Sequence, residues 1–201
     1  MGSLPAIATP AWLSSIRSHP HLPEHTWYLI AATTLCLLNR PNEAPKVFEY
    51  ATSHDPNQKV AIPPLQEEML NIACRMREAL VKAAAVGGMP KTINALLELK
   101  KVTPPEMLDE PHASSPTGRS SELHETPATE IIQRGQQFFD NVYGKVSKRV
   151  MGQMDSCGTE DLGLAARLMY GYITSNTSIL NAVETSFVMI AGLVPQDVRT
   201  G

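Results

Sequence analysis

The sequence predicts an all-α fold, and three observations carry that expectation. Apolar residues recur at helical spacing, no run alternates in the manner of a strand, and Gly and Pro stand where helices would stop and restart. Helices are expected over 25–38, 64–86, 90–101, 131–142, 159–175 and 181–194. Trp27 to Leu38 is apolar on nearly every side, which suits a helix covered by neighbours all round. From Leu65 through Met69, Ile72, Met76 and Leu80 to Ala84, apolar residues step by three and four, so they share one helix face. Gly87 and Gly88 can take the positive φ that ends this helix, and Pro90 has its φ preset for the first turn of the next. Ile93, Leu96 and Leu97 continue the pattern after the corner. Residues 103–127 hold five prolines among polar side chains and too little apolar surface to offset the entropy of ordering, so they are expected to be irregular. Val183 to Val194 is apolar on several faces, like the first helix. Neither apolar helix reaches the roughly 20 residues that span a bilayer.

Composition narrows the classes. The chain has 201 residues, 43% hydrophobic and 18% charged, with a net charge of −3. That describes an ordinary globular protein with one core or two small ones, and it implies no nucleic-acid and no membrane partner. Cys36, Cys74 and Cys157 are odd in number and far apart, which argues for a reducing compartment over a disulfide framework. Cytoplasmic placement is expected; mitochondrial or peroxisomal placement stays open, although the Arg-Thr-Gly end is not a peroxisomal signal. His19, His21 and His25 sit close together, but Pro20 and Pro23 interrupt them and no Cys or acid stands at ligand spacing, so a loop is expected and no metal. Lys145, Lys148 and Arg149 form a small basic face that reads as solvated.

Two stretches carry a family resemblance. The first runs Arg77-Glu78-Ala79-Leu80, then Ala83 to Pro90 as AAAVGGMP, then Ile93-Asn94-Ala95-Leu96. The second comprises Arg134-Gly135, Val142 to Val146, Tyr170-Gly171-Tyr172 and Leu180 to Leu193. Together they resemble the carboxymuconolactone decarboxylase family, which shares the helical fold of the alkyl hydroperoxidase D proteins. His25 to Ala32 can also be laid over Glu184 to Ala191, which suggests an internal duplication. The expected organisation is then an N-terminal segment over 1–23, a first repeat over 24–101, a flexible linker over 102–130, and an incomplete second repeat over 131–201.

The resemblance also implies chemistry. The peroxidase members use a Glu, a Cys-x-x-Cys and a following His, because a peroxidatic thiolate needs a resolving thiol and a base. With Glu184 in the place of that Glu, Gln196 and Arg199 stand where the cysteines belong, so a dithiol peroxidase is disfavoured. The decarboxylase members use no cofactor. A small carboxylated lactone or related acid can delocalise the electrons left by carbon dioxide, and the protein supplies a cation or hydrogen bonds and an acid to return a proton. The candidates are Glu184, His25, Arg77 and Glu78. Each has a plain alternative: Asn181 three residues before Glu184 spells a capping box, Arg77 and Glu78 can be solvated or ion-paired, and His25 can be a helix-terminus residue. The resemblance thus implies a cofactor-free decarboxylase or isomerase-type enzyme on such a substrate, and a catalytically silent oligomeric or interaction protein that retains the fold is the alternative function. A homo-oligomer is expected in either case, with Phe187, Ile190 and Val194 buried.

Overall fold

The computed structural model describes residues 5–53, 66–109 and 114–197. Among them the fold is all-α, with no β-strand. The helices are α1 Pro10–Arg17, α2 Trp27–Leu37, α3 Ala44–Ala51, α4 Gln66–Gly87, α5 Met89–Val102, α6 Arg119–Glu125, α7 Ala128–Tyr143, α8 Ser147–Asp155, α9 Asp161–Met169 and α10 Ala182–Leu193. The chain divides into two compact units: Met1–Leu108 with Phe187–Gly201, and Asp109–Ser186. These divisions fall elsewhere than the expected repeats over 24–101 and 131–201.

In the first unit α2 packs against α3, α4 and α5. This explains its all-round apolarity: Leu29, Ala31, Ala32 and Leu35 are fully buried, and they meet a core that includes Val47, Met76, Leu80 and Ala95. The corner after α4 divides the work between its glycines. Gly88 takes φ +84°, whereas Gly87 remains helical, and a Cβ there would lie 1.7 Å from Leu37 Cδ1. Gly87 is therefore a contact glycine rather than a turn glycine. Pro90 stands in the first turn of α5, as expected.

Two expectations are corrected. Residues 103–127 are not simply irregular, since they contain a 3₁₀ turn over Pro105–Met107 and the helix α6. Polar anchors hold α6 in place of apolar surface. Arg119 donates from Nε to Tyr172 O and from Nη2 to Ile173 O, both at 2.9 Å, and Glu122 pairs with Arg134. The second correction concerns α10. Val188, Met189 and Ala191 are buried, while Phe187 is only half-buried and Ile190 and Val194 are 58% and 72% exposed. The register of the helix turns the neighbouring positions inward, with Gly192 set against Val86 and Leu37.

The second unit is built on a crossing of glycines. A Cβ on Gly135 of α7 would lie 2.4 Å from Gly171 N, so the two backbones touch there. Gly171 belongs to a π turn over Tyr170–Thr174 that continues α9, with Ser175 N donating to Tyr170 O at 2.9 Å. Beside it Phe139, Tyr143 and Tyr170 stack edge and face, and the two tyrosine hydroxyls lie 3.1 Å apart.

Candidate functional site

α4 places three of the polar groups that matter on one rod. Its Ile72, Met76, Leu80 and Ala83 are buried at helical spacing and fix which way it faces. In that register Glu78 and Lys82 are driven into the core, with side chains 2% and 0% exposed, and Lys82 Nζ lies 3.7 Å from Glu78 Oε1. A carboxylate and an ammonium buried side by side are costly to desolvate, so such a pair is weak evidence for stability. Arg77 stands next to Glu78 but points elsewhere: Nη1 donates to Met107 O at 2.9 Å and Nη2 to Cys74 Sγ at 3.3 Å. It ties the 3₁₀ turn of Pro105–Met107 to α4.

The other two candidates are placed differently. His25 takes φ +64° at the entrance to α2, and its carbonyl accepts from Arg75 Nη2 at 3.1 Å. Its imidazole is 61% exposed and stands 3.7 Å from Glu24, so it is not gathered with Glu78. Glu184 heads α10 in a complete capping box. Asn181 N donates to Glu184 Oε2, and Glu184 N donates to Asn181 Oδ1, each at 2.9 Å. Arg77 and Glu78 are thus sequence neighbours with separate partners, and the carboxylates of Glu184 and His25's neighbour Glu24 belong to helix entrances.

Lys82 is the residue that sequence reasoning passed over. Its signal was a Glu followed four residues later by Lys, the commonest surface pair on helices. Only the phase of the apolar stripe would have shown both lying on the buried side.

Cysteine chemistry has little purchase. No disulfide joins the three cysteines. Burial pushes Cys36 up to about 11, against the opposing pull of a hydrogen bond with Thr92 and the charge of Lys91, so it stays protonated near neutrality. Cys157 is exposed and donates to Met154 O at 3.2 Å. Among the described residues no three His, Cys, Asp or Glu side chains gather as a metal site, and no helix is long and apolar enough to cross a membrane.

Fold and site together define an all-α protein with an acid–amine pair sealed in its helical core. No family model matches the chain, and no solved structure matches it. It is 30% identical to Peroxisomal protein 2 of Saccharomyces cerevisiae over an alignment of 225 positions, covering 90% of this chain and 78% of that protein. It is 31% identical to Peroxisomal protein 2 of Schizosaccharomyces pombe over 177 positions, covering 88% and 72%. The chain belongs to the family of these peroxisomal proteins. Their shared name gives a place and no reaction.

Proposed function

We propose that the chain is a cofactor-free decarboxylase of the carboxymuconolactone decarboxylase type, acting on a small carboxylated lactone or related acid. The buried Glu78–Lys82 pair is the observation that carries this reading. Such a reaction asks for a positive charge where negative charge develops and for an acid that returns a proton, and the pair offers one of each away from water. We also place the protein in the peroxisome rather than the cytoplasm, because both relatives carry that organelle in their names. The test compares metabolites of cells with and without the gene and measures carbon dioxide release by the purified chain. Accumulation of a carboxylated acid that Glu78→Gln fails to clear supports the reading. Unchanged metabolites and no release from a panel of lactone and oxo acids would remove it. A fluorescent fusion outside the peroxisome would remove the placement.

A second reading is a silent oligomeric module that keeps the fold. Glu184 favours it, since its two hydrogen bonds with Asn181 serve the start of α10. Under that reading Glu78→Gln leaves every metabolite unchanged while self-association persists.

A further inference from the structure

The Glu78–Lys82 pair permits a more specific chemistry than a fixed cation beside an acid. We infer that Lys82 is the nucleophile of the site and takes the carbonyl group of a 3-oxo acid as an imine, with Glu78 as the carrier of its proton. This rests on the decarboxylase reading and narrows its substrate class.

The geometry supplies the parts. The two groups are one helical turn apart on α4, 3.7 Å from Nζ to Oε1, and both are shut off from bulk water. A proton passed from the ammonium to the carboxylate leaves an amine and a carboxylic acid, which are the nucleophile and the acid that the reaction needs. No outside reagent is required. The amine adds to the ketone carbon, a C–N bond forms, and Glu78 gives its proton to the departing hydroxyl, so that water leaves, the imine keeps one proton on nitrogen and Glu78 is again a carboxylate. The bond to the carboxylate carbon then breaks, its electron pair moves toward the imine nitrogen, carbon dioxide departs and an enamine remains. Glu78, having taken the carboxyl proton of a substrate bound as its neutral acid before that bond breaks, gives it to the enamine carbon. Water then adds to the imine, the C–N bond breaks, the ketone leaves, and the pair regains its starting protonation. A lysine shut off from water can serve as an imine former, and a dry surrounding protects the intermediate.

Lys82 is fully buried, so a substrate must displace its cover to reach it, whereas Lys101 and Lys145 are exposed at the surface. The reaction at Lys82 should therefore be slower to begin and should saturate. The experiment incubates the full chain with acetoacetate, adds borohydride at intervals, and maps the fixed adducts by peptide mass. An adduct that builds up and saturates on the peptide with Lys82, in the decarboxylated isopropyl form, is expected. It should vanish in Lys82→Met and in Lys82→Arg, which keeps a cation and forms no imine. Glu78→Gln should shift the trapped form toward the adduct that still holds its carboxyl group. Carbon dioxide release without any Lys82 adduct would overturn the imine and leave the decarboxylase reading standing. A Lys82 adduct without release would keep the imine and sink the decarboxylase. Adducts spread evenly over surface lysines, with neither saturation nor loss in the variants, would overturn the proposal.

Discussion

Glu43 shows how much one buried carboxylate can hold. It accepts from Ile7 N at 2.8 Å, Ala8 N at 2.6 Å and Arg40 Nε at 2.8 Å, and it fastens the segment ahead of α1 to the turn before α3. Burial alone would raise its pKa, but these donors outweigh burial and hold it below the usual carboxylate range. Glu122 is also depressed, chiefly by its hydrogen bonds from Arg134. A depressed carboxylate stabilises the fold above its unfolded pKa, and that contribution is lost as pH falls through the folded value. Urea midpoints should therefore drop on acidification below the ordinary carboxylate range, and Glu43→Gln should flatten that drop. Glu43→Ala, which strands Arg40 and two backbone donors, should cost about 3 kcal/mol near neutral pH. The cysteines give a second outcome at this scale. Iodoacetamide near neutral pH should label exposed Cys157 first and leave Cys36 untouched in the folded chain. Glu43 could not be recognised from the sequence, because two of its donors come from the segment ahead of α1, whereas Lys82 was open only to a reading of the phase of the apolar stripe of α4. Asn181 and Glu184 could be recognised, because a capping box is written within four residues.

Elements obeyed the same division between local and distant causes. α2, α4, α5, α7 and α10 have long apolar patterns or clear stops, and they lie close to their expected bounds. α1, α3 and α8 went unread, being only eight or nine residues long, too short for a pattern to stand out. α6 was hidden for another reason: its anchors, Tyr172 O and Ile173 O, are carbonyls of a distant turn. The crossing of α7 with the π turn yields a sharp test. Gly135→Ala pushes a methyl carbon to 2.4 Å from Gly171 N, and backbone cannot yield as a side chain tip can. It should cost about 3 kcal/mol or more in chemical denaturation. Gly152→Ala, in α8 with nothing within 4 Å, should instead stabilise by about 0.5–1 kcal/mol. Equal effects from the two would show that the close crossing is absent.

The whole molecule leaves apolar side chains in water. Met89, Ile93 and Leu97 recur every fourth residue along α5 and are 61%, 49% and 56% exposed, in addition to Ile190 on α10 and Val194 just past its end. Scattered exposure is ordinary, but a row along one helix face is what association surfaces display. Light scattering at micromolar concentration should find more than one chain per particle, and Ile93→Glu should shift the particle toward the monomer without unfolding it. A monomeric parent chain would end the expectation of a homo-oligomer. The division into units was not legible in the sequence, since the last helix starts in one and ends in the other, and no composition shift marks Phe187.

The π turn of Tyr170–Thr174 has a bearing on how this chain can vary among its kin. It holds one residue more than a regular helical turn needs, and the carbonyls of Gly171, Tyr172 and Ile173 are those that Arg134 and Arg119 engage. Loss of a single residue here would restore the regular winding and rotate everything downstream by about 100°. Ser175 would leave Arg134, and Asn176 would leave Thr117 O. Length at this point and the two arginines should therefore be inherited as one character: lineages that drop the residue should also have released Arg119 and Arg134.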